Sequence, residues 1–153
     1  MNREEDMAGY AQQGSPEVLG PISNLKLDLT ITGVTAGVAT FTLEGQDNGS
    51  KPHVNNKKIT IPPTSRNVRI EFDLKDESGN DLEYCQADPI WVSRTDMCPQ
   101  SHCSDPEIDD IRAQKKKLTV TDLNTVQVDL GYTIILEGDG GRVLVDPIIR
   151  NNP

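Results

Sequence analysis

The sequence predicts a single all-β domain, an antiparallel β-sandwich of seven or eight strands, on three observations. Apolar residues fall on every second position in several separate segments, the period of a half-buried strand. Twelve glycines and ten prolines interrupt the 153 residues at short intervals, which favours many short elements over a few long helices. Only 4% of the residues are aromatic against 35% hydrophobic, so the core must be mostly Val, Ile and Leu, residues suited to a pleated sheet.

Residues 1–20 are polar and acidic, too poor in apolar side chains to offset the entropy of ordering them. They are expected to form a flexible N-terminal tail, with one domain over 21–153. Leu25, Leu27, Leu29 and Ile31 then share one strand face, and residues 38–43 supply a partner across a glycine-bounded loop at 33–37. Residues 45–56 read as a loop. A short strand at 58–61 stops at Pro62-Pro63, and Val68, Ile70, Phe72 and Leu74 alternate with Arg69, Glu71, Asp73 and Lys75 as another half-buried strand. Residues 76–81 are its turn. Residues 82–87 and 90–93, flanking Asp88-Pro89, form two short strands or one edge strand broken by proline.

Residues 95–114 are the least regular stretch. Glu107 to Gln114 fit one helical turn or two, entered through Ser104 or Asp105 with Pro106 at the first position. The last third carries the strongest signal. A strand at 118–120 and an Asp122-x-Asn124 turn lead into a long alternation of Val126, Val128, Leu130, Tyr132, Ile134 and Leu136. Residues 138–141 reverse the chain, residues 142–145 return alongside, and Asp146-Pro147 ends the pairing. Such spacing describes a sandwich of immunoglobulin-like type.

The strand at 68–74, the Asp88-Pro89-Ile90 segment, the Asp122-x-Asn124 turn, the Tyr132 strand and the closing Asp146-Pro147-Ile148 together resemble the DP-EP family, small bacterial β-sandwich proteins. The resemblance covers about half the chain. It implies an all-β fold and no established activity, and it offers no catalytic residue to carry over.

A net charge of −9 argues against nucleic acid and against an anionic membrane surface, both of which call for clustered Lys and Arg. The one basic run, Lys115-Lys116-Lys117, follows an acidic stretch and reads as a solvated strand entry. The first twenty residues have no apolar core for a signal peptide, and no stretch is apolar enough for a membrane span, so a cytoplasmic location is expected.

The candidate chemistry lies in cysteines and acids. Cys85, Cys98, His102 and Cys103 are a candidate zinc set, thiolate and imidazole being what that metal takes, although Cys98 and Cys103 are spaced more widely than a knuckle turn. A Cys98–Cys103 disulfide and free thiols are the alternatives. The loops at Asp47-Asn48, at 76–81 and at 105–110 are rich enough in oxygen for calcium, but none matches the EF-hand pattern. No pattern assembles a nucleophile, a base and an oxyanion donor.

The expectation is therefore a non-enzymatic protein acting by self-assembly or partner binding. The alternative is a small metal- or thiol-dependent module built on the cysteine region. The strand at 142–145 is a candidate sheet edge. Its apolar run Val143-Leu144-Val145 calls for cover on both faces, by the C-terminal segment at 146–153 folding back or by another subunit, the second of which is favoured and makes a homodimer.

Overall fold

The computed structural model describes residues 23–45, 53–55, 57–94, 99–146 and 148–151. All regular structure among them is β, in twelve strands. These are β1 (Asn24–Thr35), β2 (Val38–Gly45), β3 (His53–Asn55), β4 (Lys58–Ile61), β5 (Val68–Asp76) and β6 (Glu83–Tyr84), followed by β7 (Ile90–Ser93), β8 (Ile108–Ala113), β9 (Lys117–Asp122), β10 (Asp129–Gly138), β11 (Gly141–Val145) and β12 (Ile148–Asn151). The expected tail at 1–20 and most of the loop at 45–56 lie outside the described residues.

The strands form one mixed sheet, nearly closed into a barrel, in the order β3-β4-β12-β10-β11-β2-β1-β5-β9-β8, with β6 and β7 also on β10. Most neighbours pair antiparallel, as expected, and three do not. β1 runs parallel to β5 from Asn24↔Arg69 to Ile31↔Asp76, β12 runs parallel to β4, and β11 meets β2 in parallel at Leu144↔Val38. Parallel neighbours need a long crossover, and β2, β3 and β4 provide one between β1 and β5. Alternation within a strand records which side is dry, not which strand lies alongside or in which direction. The strand number also exceeds the expected seven or eight, chiefly because β3 and β12 are too short to show a period and β8 carries helix-like signals.

The first hairpin is tighter than its glycines suggested. β1 continues past Gly33 to Thr35, with its register shifted between Ile31 and Gly33, and Ala36 and Gly37 turn the chain at φ 53° and 77°. Two successive positive φ values suit the right-handed twist of the flanking strands, and Ala36 carries the strain that a glycine would avoid.

β10, β11 and β12 are one long hairpin. Ile134 faces Val145 and Gly131 faces Ile148, so pairing with β10 resumes in the same register, which corrects the expectation that it ends at Asp146-Pro147. Sequence alternation makes β10 half-buried, yet every residue from Leu130 to Leu136 is buried. On one side lies the main core, where Leu29, Ile31, Ile59, Val68, Phe72, Leu118 and Tyr132 are wholly buried and the Phe72 and Tyr132 rings meet at 5.9 Å. On the other, Cys85, Trp91 and Ile135 form a satellite core, with Leu144 packed against it.

That satellite core revises two expectations about residues 143–145. They are not a sheet edge, since β11 lies between β10 and β2. The second face of the run is covered from within the chain, so it supplies no argument for a subunit. The path through the sheet ends at β3, only three residues long, and β8, which is bulged and charged, both common ways of blunting an edge. β6 and β7, paired only with β10, form a further edge, as expected of the segment holding Pro89.

The expected helical turn at 107–114 is strand β8. Asp105 does accept from the Glu107 N–H at 2.9 Å as a helix cap would, but Ile108 N–H then bonds Asp105 C=O at 3.0 Å and closes a single turn. The chain then enters the ladder beside β9.

Candidate functional site

Two outward surfaces carry chemistry, and they have opposite characters. The first is the outer side of β7, β10 and β11, over the satellite core. Here Asp88 is the organiser. Its Oδ2 accepts from Trp91 Nε1 at 2.7 Å, and its Oδ1 lies 3.0 Å from His102 Nδ1, which must carry the proton because a carboxylate only accepts. Arg142 lies over the Trp91 ring at 5.7 Å. The segment bearing His102 is strapped down at both ends, by Thr133 Oγ1 donating to Pro99 O at 2.7 Å and by Val92 N–H donating to Cys103 O at 2.8 Å. Just before it, Arg94 grips Asp105 through Nε at 2.9 Å and Nη2 at 3.1 Å.

The residues of the proposed zinc set have different surroundings within this surface. Cys85 is buried in the satellite core, His102 is 71% exposed and engaged with Asp88, and Cys103 is partly buried. Cys98 lies outside the described residues. Among the described residues no three His, Cys, Asp or Glu side chains converge on a point where a metal would sit. The acidic loops spend their oxygens internally. Asp76 takes the Ser78 N–H, the Ser78 hydroxyl and the Leu82 N–H, while Asp105 takes Arg94 and Asp110 takes Arg112. Asp47-Asn48 lies outside the described residues.

Two of these carboxyls tie stability to pH. The Arg94 hydrogen bonds hold Asp105 below the ordinary carboxylate range, against the opposing effect of partial burial and with help from the Glu107 N–H. At Asp76 partial burial works towards protonation, but the Leu82 N–H, Ser78 and Lys116 outweigh it and lower its value too. A lowered folded value means that the unfolded chain binds more protons as acid is added. The stabilisation is therefore complete above the ordinary carboxylate range and is lost as pH falls through the lowered values. Denaturant unfolding across that range is expected to show midpoints that fall with acid, and Asp105→Asn is expected to flatten part of the slope. A slope unchanged in Asp105→Asn would show that the pair contributes nothing.

The second surface is the outer side of β5, β9 and β8. A cavity of about 270 Å³ opens there, lined by Arg69, Asp110, Arg112, Gln114, Lys117 and Thr119. Strand alternation places most of these side chains. Val68 and Ile70 point inward, so Arg69 points out; Leu118 and Val120 point inward, so Lys117 and Thr119 point out. On β8 the placement depends on an irregularity. The register jumps from Thr119↔Arg112 to Thr121↔Asp109, leaving Asp110 and Ile111 opposite Val120 alone. Asp110 absorbs the bulge at φ 49° and pairs with Arg112 Nε at 2.9 Å. Lys117 approaches Glu71 at 3.8 Å.

The lining thus presents three cations and one carboxylate in a chain whose net charge is −9. Guanidinium forks match the paired oxygens of carboxylate and phosphate groups. Sequence reasoning saw Arg69 and Lys117 only as members of wet faces. Arg112 was placed on a helical turn, and nothing in the linear order joins it to Arg69; the β5-β9-β8 pairing does. Compared with known proteins, the chain matches no family model and no curated protein sequence.

Proposed function

We propose that the chain is a non-enzymatic binding protein whose partner presents an anionic group, held in the pocket of Arg69, Arg112 and Lys117. The observation that carries this reading is the gathering of three cations around a concave opening at a bulged strand, on a molecule otherwise strongly acidic. Bulges recur where a strand must re-aim a side chain beside a functional site. The scaffold is read as sandwich-like, two packed halves joined where β11 meets β2. The single Leu144↔Val38 bridge and the Leu144 N–H bond to Gly37 O at 2.9 Å support that view.

The test is an amide-resolved NMR titration with sodium phosphate and, separately, with succinate. Saturable shifts are expected around residues 69, 112, 117 and 119, weakening as sodium chloride is added. Arg69→Gln and Arg112→Gln are each expected to reduce affinity about tenfold, the scale of a lost charged hydrogen bond. Lys75→Gln, on the outer side of β5 but outside the lining, is expected to change it little. Shifts scattered over the surface, or equal losses in all three variants, would sink the reading.

A further inference from the structure

Resting on that reading of the pocket, we infer that Asp110 is a resident counter-ion that the ligand displaces from Arg112, and that its charge thereby restrains the preference of the three cations for doubly charged anions. The geometry is specific to this residue. Asp110 occupies the bulge in the left-handed region, φ 49°, and the bulge turns its carboxylate back onto the strand's own Arg112 at 2.9 Å. Of the lining side chains it alone is negative. Both partners face water, with side-chain exposures of 75% for Arg112 and 41% for Asp110. An ion pair so exposed contributes little to stability and opens readily. It therefore acts on the ligand more than on the fold.

With Asp110 in place, an entering anion meets three cations and a competitor for one of them. A monoanion replaces one carboxylate by another and gains little at Arg112. A dianion that reaches Arg69 and Lys117 while it contests Arg112 gains about twice as much from the cations, but it also loses about twice as much to the like charge of Asp110. The cavity volume, about 270 Å³, is at the small end of ligand sites and suits a compact group such as a phosphate or a short dicarboxylate. Either supplies paired oxygens and two charges, and parallel titrations separate them.

Asp110→Asn is the direct test, because asparagine tolerates the left-handed conformation and leaves the shape of the bulge intact. Asp109→Asn is the control: it is an exposed neighbour that removes the same charge outside the lining. Wild type, Asp110→Asn and Asp109→Asn are titrated with phosphate at a pH where it is dianionic, with succinate and with acetate. In Asp110→Asn, affinity for phosphate or succinate is expected to rise about fivefold or more, that for acetate less, so that the preference for two charges widens. In Asp109→Asn all are expected to change less than about twofold. If the wild type binds the dianions at the pocket but Asp110→Asn leaves both affinity and preference unchanged, the role of Asp110 is wrong and the anion site stands. If neither protein shows shifts at the pocket with any of the three, the reading of the site fails, and this inference with it.

Discussion

Replacing Gly138 by alanine is expected to destabilise the protein by about 3 kcal/mol, a cost typical of forcing a side chain into a packed site. A Cβ built at Gly138 would stand 2.5 Å from the Asn80 carbonyl oxygen and 2.6 Å from Leu82 Cδ2. Neither neighbour can yield cheaply. The Asn80 carbonyl is backbone and already accepts from Asp139 N–H at 3.1 Å, and Leu82 is wholly buried in the main core. The added methyl group therefore strains the hairpin tip where it leans on the turn after β5. For a chain of this size the melting temperature should fall by roughly 6–12 °C. Gly140→Ala is the matched comparison. Its Cβ would meet nothing within 4 Å and its φ is not in the left-handed region, so stability should be unchanged or slightly raised through the unfolded chain. Equal melting temperatures for the two variants would contradict the close approach at Gly138.

The same hairpin shows what the sequence made legible. Its strand and its turn were readable, because alternation and turn chemistry are local properties, whereas the return of pairing beyond Asp146-Pro147 was not. Burial of both faces of β10 was not readable, since Thr133 and Gly131 look like wet-face residues until Trp91 and the strap at 99–103 cover them. At β8 the local signals were genuine but served another end. Asp105 and Pro106 do build a turn, and its exit direction was decided by pairing with β9. The pocket was the least legible feature. It needs Arg69, Lys117 and Arg112 from three strands and a register jump at Asp110, and each residue taken alone is an ordinary exposed charge. Pairing and register are long-range properties that one strand's pattern does not contain.

One polar residue flagged in the sequence proves to be a structural pin, and changing it should cost more than any surface charge. Asn124 is completely buried at φ 55°, a conformation that asparagine tolerates better than most residues. Its Nδ2 donates to Pro62 O at 2.9 Å and to Ser65 O at 2.7 Å, joining the approach to β10 to the loop that precedes β5. Two carbonyl neighbours fix which end of the amide is nitrogen. Its own N–H bonds Asp122 Oδ1 at 3.0 Å, so the Asp-x-Asn turn closes on itself while the side chain reaches across the chain. Asn124→Ala loses two hydrogen bonds and keeps an unfavourable φ, a loss of about 3 kcal/mol. Asn124→Asp is expected to be worse, about 4 kcal/mol at neutral pH, because a buried carboxylate then faces two carbonyl oxygens with nothing to donate. Protonation restores one donor, so Asn124→Asp should regain part of its deficit relative to wild type as pH falls, whereas Asn124→Ala should not. Chemical denaturation of both variants at neutral and acidic pH measures this. A deficit for Asn124→Asp that is small, or that grows in acid, would show that Nδ2 does not hold the two loops together.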